Sequence, residues 1–429
     1  MKILLKNFTA QNPQQNLFEK NIDLLLVNDK IAEFGRNLSY DDKMTKVIDL
    51  SGKLVVPGFI DMHVHLREPG REDEETIESG CNAAAFGGFT AVACMPNTEP
   101  AIDSAEVVEF IKNKSRNNIV DVYPIAAATI GRKGEYLSPM LELKESGAVA
   151  FSDDGVAIKT ASILKRALEY SKMINLPIIE HCEDESLSFG SMNEGINSTL
   201  FGLHPLPSVS EDLIVMRDIL MAQYTGGKVH IAHISSANAV KMVREAKSKN
   251  INVTAEVTPH HFTLTDDSLK TYDTNLKMNP PLRTEKDIKE ILEGLKDGTI
   301  DCIASDHAPH SPEEKEMEFD YAPNGIVGLE TSIGLALTEL VHKKVLSVDE
   351  IIFKYSINPR KILNLNVPSF KVGEKAEFTI LDLDEIWTVN KNKFVSKSKN
   401  TPFDKRLLTG RAVGIINNGK ILMNGEFIS

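Results

Sequence analysis

Leu54-Val55-Val56-Pro57-Gly58-Phe59-Ile60-Asp61-Met62-His63-Val64-His65-Leu66-Arg67 is an apolar run that ends in two histidines and an arginine. Residues two apart on a β-strand point to the same side, so His63 and His65 can direct two imidazoles at one point. Neutral imidazole is the commonest protein ligand for a metal, and a His-x-His pair closing a buried strand makes half of such a site. Arg67 stands next in line for an anionic substrate. The competing reading is a pair of half-buried strand histidines without metal, and residues elsewhere in the chain decide between the two.

The same kind of run recurs along the chain, at 54–65, 89–95, 120–128, 148–154, 177–182, 228–234, 252–257 and 301–305. Helical patterns lie between these runs, at 76–86, 105–114, 162–173, 211–224, 237–248 and 286–295. Strands that alternate with helices pair in parallel, and eight such units over ~250 residues match a (β/α)8 barrel. The runs are apolar on both faces, as strands are when helices cover one side and packed side chains fill the other. The ends of the chain differ. Short strands at 2–5, 22–27, 30–34 and 46–49 are matched by others at 376–381, 412–416 and 419–423, with Asn417-Asn418-Gly419 as a hairpin turn. The expected architecture is therefore an α/β barrel over 54–365, with a small composite β-sandwich built from 1–53 and 366–429.

Composition narrows the function. The 429 residues are 42% hydrophobic and 25% charged, ordinary for a soluble globular protein. A formal charge of −13 argues against a nucleic-acid or anionic-membrane partner. The four cysteines, Cys81, Cys94, Cys182 and Cys302, form no Cys-x-x-Cys pair, and three of them sit in or beside apolar runs. That usage reads as reduced and cytoplasmic. The start, Met1-Lys2-Ile3-Leu4-Leu5-Lys6-Asn7, has no apolar stretch of signal-peptide length, and no run approaches a membrane span.

Barrel enzymes carry their chemistry at the C-terminal ends of the strands. Here strand one ends in His63 and His65, strand four in Ser152-Asp153-Asp154-Gly155 and strand five in Glu180-His181-Cys182-Glu183. Strand six ends in Ala232-His233-Ile234-Ser235 and strand eight in Ser305-Asp306-His307-Ala308-Pro309-His310. A lone strand histidine is usually a core residue, and Asp-Asp-Gly is usually a turn. Five such ends at one mouth favour a metal site. Four histidines and two carboxylates exceed the three protein ligands usual for a single catalytic zinc. They suit two metals that share a bridging carboxylate. His63, His65 and Asp306 would hold one ion and His181 and His233 the other, bridged by Asp154 or else Asp153. His230, three before His233, should face away into packing. His260 and His261 lie at the mouth of strand seven and could support the ligands, whereas His204 and His342 look like loop and helix-surface residues.

These motifs, in this order, resemble the amidohydrolase superfamily and in particular the type I dihydroorotases. The similar stretches are DMHVHLREPG (61–70), AAAFGGFTAVACMPNTEP (83–100), FSDDG (151–155), EHCE (180–183), HIS (233–235), TAEVTPHH (254–261), KMNPPLR (277–283) and DCIASDHAPHSPEEK (301–315). The resemblance spans nearly the whole chain. It implies reversible cyclisation of N-carbamoyl-L-aspartate to L-dihydroorotate in pyrimidine biosynthesis, with two zinc ions per chain and a hydroxide bridging them. Asp306 would be both metal ligand and proton shuttle. His65, Arg67, Asn97, Asn279 and His310 would bind the substrate, with Arg67 offering a carboxylate the bidentate fork that lysine lacks. The segment 311–324 would be a mobile cover, and the backbone of Asn324 and Gly325 would meet the ring.

The sister hydantoinases, dihydropyrimidinases and allantoinases generally bridge their metals with a carboxylated lysine at the end of strand four. Here the nearest lysines, Lys144 and Lys159, lie outside that end. A neutral ring would also leave Arg67 unpaired. A catalytically silent scaffold for aspartate transcarbamoylase is the other alternative, and such proteins lose metal ligands that this chain keeps. A homodimer and an aspartate transcarbamoylase complex are the partners that the resemblance raises.

Overall fold

The run at 54–65 folds as two strands that belong to different sheets. Leu54–Pro57 pairs antiparallel with Phe378–Thr388 and parallel with Lys2–Asn12, whereas Phe59–Val64 begins the barrel. Gly58 marks the crossing. A Cβ there would sit 2.3 Å from Thr90 Oγ1, so only glycine admits the close approach. Residues 54–57, expected in the barrel, thus join the sheet made by the termini.

That assignment comes from a computed structural model, which describes residues 2–39 and 45–428. Eight parallel strands follow one another in chain order around the barrel: Phe59–Val64, Phe89–Cys94, Asp121–Ala127, Ala150–Ser152, Ile178–Glu180, Val229–Ile231, Val253–Val257 and Cys302–Ile303. Strand eight meets strand one through a parallel bridge between Val64 and His307, and through Asp61, whose carboxylate accepts from the backbone N–H of Ser305 at 3.0 Å. Inside, Ile60, Met62, Ala91, Ala93, Ile125, Ile179 and Cys302 pack as one buried cluster. The expected helices are present, together with others that the sequence did not signal, among them Met140–Ser146 and Leu329–Ala336. The first is two turns long. The second buries nearly every side chain and so carries no polar stripe for a 3.6-residue period to reveal.

The termini form a nine-stranded sheet that flanks the barrel. Alternation along its strands divides their side chains between two cores. Val55, Phe378 and Ile380 pack with Ile3, Leu5, Leu24 and Ile416, so the two halves of the sheet fold over a common interior. Leu54, Val56 and Leu381 point the other way, into the cluster around the barrel. The Asn417-Asn418-Gly419 turn is a tight hairpin in which Asn417 pairs with Lys420, and Asn418 and Gly419 have φ of +52° and +69°.

Candidate active site

The strand ends converge as alternation and barrel topology require. His63 Nε2 lies 3.4 Å from Asp154 Oδ1 and 3.6 Å from Asp306 Oδ1, and His65 Nε2 lies 3.1 Å from Asp306 Oδ1 and 3.7 Å from Asp154 Oδ2. On the other side, His181 Nδ1 and His233 Nε2 are 3.0 Å apart, each 3.9 Å from Asp154 Oδ1. Asp154 therefore belongs to two ligand triads, one with His63 and His65 and one with His181 and His233. All of these side chains are buried or nearly so. Three of the pocket residues, Arg67, His233 and Asp306, adopt left-handed backbone at φ of +59°, +32° and +48°. Such conformations cost energy in non-glycine residues and gather at functional sites.

The donor set fits divalent cations. His63 Nε2 and Asp154 Oδ1 are buried with no hydrogen-bond partner, although each is a strong polar group. The facing nitrogens of His181 and His233 share one proton as a hydrogen bond, and both become lone-pair donors when a cation takes its place. The remaining ring nitrogens of His63, His65 and His181 are oriented from behind, the usual arrangement for ligating imidazoles, whereas His233 Nδ1 has no hydrogen-bond partner. His63 Nδ1 meets Glu256 at 2.6 Å, His65 Nδ1 meets Asn97 Oδ1 at 2.8 Å, and His181 Nε2 meets Glu183 at 3.4 Å. Electrostatics agree. Burial opposes charge on Asp154, but the imidazoles around it, His63 foremost, hold its carboxyl well below the usual range. Burial, reinforced by His181 and His63, pushes His233 down to about 3, which keeps it neutral as a ligand must be. Asp153 is turned away from this centre and accepts from Thr129 N and Oγ1 at 2.9 and 2.5 Å.

A cavity of about 270 Å³ opens above the triads, lined by His65, Arg67, Asn97, Asn279, His310, Asn324 and Gly325 among others, and by no lysine. Every expected substrate-contacting residue thus reaches the same pocket, although some do so differently from the sequence reading. Arg67 does not extend strand one, which ends at Val64. A turn swings it into place, where its Nε faces Pro309 O and Glu74 at 3.1 and 2.9 Å and Nη2 lies 3.4 Å from His310 Nε2. Asn97 directs its amide at His65 and, at 3.4 Å, at Asp154 Oδ2. Asn279 Nδ2 donates to Glu183 at 2.9 Å. Gly325, at φ +121°, must be glycine, because a Cβ would lie 2.6 Å from Ala308 Cβ.

The segment 311–324, expected as a mobile cover, is hydrogen-bonded to Lys277 and, through its own Lys315, within itself and to Gly325. Lys277 Nζ donates to the carbonyls of Asp320 and Ala322, and Lys315 Nζ to those of Pro323 and Gly325, all at 2.7–3.1 Å. His230 does not face outward packing. Strand six ends at Ile231, which breaks the alternation, and His230 lies with Nε2 3.3 Å from Glu256 beneath the ligands. His261 bonds Thr258 and Pro280 O, and His260 is buried beside it. The sequence reading overlooked Glu256, Glu74 and Glu183. A glutamate inside the apolar strand 252–257 is the signal that could have exposed the first.

A family profile described as "Dihydro-orotase-like" matches residues 52–239. The chain is 49% identical to a dihydroorotase of Pelotomaculum thermopropionicum, over the full length of both chains. It is 48% identical to a dihydroorotase of Endomicrobium trichonymphae and 46% to one of Syntrophus aciditrophicus, in each case over 98% of this chain and 99% of the relative. The fold is shared with L-hydantoinase from Arthrobacter aurescens (TM-score 0.88, 24% identity, 100% of this chain and 97% of that one). D-hydantoinase from a Thermus species is similar (TM-score 0.82, 24% identity, 100% and 96%). Full-length identity at this level, on a barrel that gathers His63, His65, His181, His233, Asp154 and Asp306 at its mouth, shows that the chain belongs to the dihydroorotase family.

Proposed function

We propose that this protein is a zinc-dependent dihydroorotase that interconverts N-carbamoyl-L-aspartate and L-dihydroorotate. The observation that carries the reading is the sharing of Asp154 between two histidine pairs, beneath a pocket whose rim holds Arg67 and His310. His63, His65 and Asp306 would hold one zinc, His181 and His233 the second, and Asp154 both. Bound there, the ions supply an acidified water and a polarised carbonyl. The rest falls to side chains. Asp306, 3.1 Å from His65 and open to the cavity, takes the proton of the attacking water and returns it to the ring nitrogen as the amide bond breaks. In the reverse direction it removes the proton from the carbamoyl nitrogen. Arg67, held by Glu74 and Pro309 O, presents its terminal nitrogens to the substrate carboxylate, and His310 and Asn279 flank it. A hydantoin or dihydrouracil ring lacks that carboxylate, so Arg67 favours dihydroorotate over the substrates of the sister enzymes.

The test is loss of the dihydropyrimidine ultraviolet absorbance of L-dihydroorotate by the purified protein, with and without zinc. Zinc-dependent loss is expected. Equal turnover of dihydrouracil would overturn the substrate assignment, and zinc-replete protein that opens neither ring would overturn the enzymatic one.

Two further features bear on how the protein exists. The four cysteines are buried and unpaired, which suits a reducing compartment such as the cytoplasm. Among the described residues no helix is long and apolar enough to cross a membrane. Helix Val209–Thr225 exposes Val209, Leu213, Met216, Leu220 and Tyr224 along one face, and none of its exposed positions is charged. A second copy of this chain suits that stripe, because two copies with a net charge of −13 each meet at least electrostatic cost across an uncharged surface. The wild-type chain should sediment as a dimer and Leu220→Glu as a monomer, and a monomeric wild type or an unchanged mass would exclude this face.

A further inference from the structure

The connection between the antiparallel strands Phe378–Thr388 and Leu407–Asn417 is far longer than a chain reversal requires. Residues 394–400 use the excess to reach the open end of the barrel. Glu330 accepts from the N–H groups of Val395 and Ser396 at 2.9 and 3.0 Å, Glu75 from Lys397 N at 3.1 Å, and Ser398 Oγ donates to Glu74 O at 2.7 Å. Asn400 then arrives at the pocket wall, 6% exposed. Its Nδ2 donates to Ala308 O and Gly325 O, both at 3.1 Å, and its Oδ1 accepts from His310 N at 3.2 Å. A primary amide has two N–H donors and a carbonyl acceptor, and each is matched here to a backbone group of the pocket wall. Val327 N, just past Gly325, donates to Asn400 O at 2.9 Å.

We propose that Asn400 is a positioning residue for substrate: from a segment of the flanking domain it fixes the backbone of Ala308, His310 and Gly325, the wall that faces the substrate carboxylate and ring. This rests on the dihydroorotase reading of the same pocket. The metal ligands are held independently of Asn400. His307, next to Asp306, bonds Gly328 N through Nδ1 at 3.2 Å and Glu75 through Nε2 at 3.2 Å, and Ser305 is tied to Asp61. Removing the Asn400 amide therefore frees His310 N and Ala308 O, leaves Gly325 held by Lys315 Nζ and by Lys277 O alone, and leaves the zinc side in place. Ala308 N remains bonded to Ile326 O at 2.8 Å.

The experiment compares zinc-loaded wild type with Asn400→Ala, which deletes all three bonds, and Asn400→Asp, which keeps the acceptor for His310 N but turns an oxygen toward two carbonyls. Expected are a rise in KM for L-dihydroorotate of about tenfold, the equivalent of one or two lost hydrogen bonds, with kcat within about threefold of wild type. Bound zinc should stay at the wild-type ratio. Orotate, which carries the carboxylate, should inhibit more weakly in proportion to KM, and acetohydroxamate, which addresses metal alone, should inhibit as before. An unchanged KM, or a joint fall in kcat and zinc, overturns the proposal. Hydrogen exchange at the His310 amide reads the hold without any substrate. Acceleration in Asn400→Ala is expected, and wild-type protection there overturns the proposal. If wild type fails to open dihydroorotate, the substrate reading fails, while the exchange arm still decides whether Asn400 holds the wall.

Discussion

Glu256 Oε1 lies 2.6 Å from His63 Nδ1 at the floor of the pocket, both side chains fully buried. Burial opposes the charge on Glu256, yet His63 and His230 draw its carboxyl down to about 2, so it stays ionised. An ionised partner on Nδ1 fixes the ring with Nε2 free for metal and makes that nitrogen more basic. Glu256→Gln keeps the shape and an acceptor but loses the charge. Zinc affinity, measured by competition with a chromogenic chelator, should fall by about 10- to 100-fold. Unchanged affinity would mean that Glu256 serves only packing.

Asp154 and Asp153 are adjacent and chemically identical, but they do different work in this fold. Asp154 touches both histidine pairs, and Asp153 caps Thr129. Asp154→Ala should lose most bound zinc by elemental analysis, along with activity. Asp153→Asn should keep zinc and turnover and cost about 1 kcal/mol of stability, since a charged hydrogen-bond acceptor becomes a neutral one. Exchanged outcomes would move the bridge to Asp153.

Asp306 and Arg67 are separable in kinetics, because one acts on a proton and the other on a carboxylate. Asp306→Asn retains a ligand oxygen near His65 but cannot accept and return a proton, so kcat should fall by about 10²- to 10⁴-fold with KM little changed. Arg67→Lys keeps the charge and loses the planar fork. It should raise KM for dihydroorotate and leave kcat closer to wild type. Matching effects on both constants in both variants would remove the distinction.

Much of this site was legible in the sequence, for a local reason. Strand ends that follow an apolar run name their own position at the barrel mouth, so His63, His65, His181, His233 and Asp306 could be placed together without coordinates. What was not legible depends on contacts between distant parts of the chain or on where regularity stops. Periodicity could not choose between Asp154 and Asp153, because both follow the last residue of the strand Ala150–Ser152. His230 was misplaced because the alternation on which the reading relied ends one residue after it. Lys277 and Lys315 look like solvent-facing loop residues, yet they are buried against the carbonyls of 320–325. Asn400 meets Ala308 across 92 positions, and no spacing announces that.

Glu330 offers a test of how the flanking segment is tied to the barrel. Its carboxylate accepts from Val395 N and Ser396 N, but burial outweighs those bonds and pushes its pKa up from 4.5 to about 7. The fold therefore prefers the neutral acid. Below about pH 4.5 the folded and unfolded chains both carry the proton, and Glu330 makes no difference. As pH rises the unfolded chain loses the proton first, and the native state is progressively penalised until about pH 7, beyond which the penalty is constant at about 3 kcal/mol. Glu330→Gln cannot ionise and escapes this slope. Urea unfolding of both proteins at intervals from pH 4.5 to 8 isolates the effect, because every other titrating group cancels in the difference. The variant should gain on the parent steadily up to pH 7 and no further. A difference that stays flat over that range would mean that Glu330 ionises as an ordinary carboxyl and that burial does not strain the tie between the segment and the barrel.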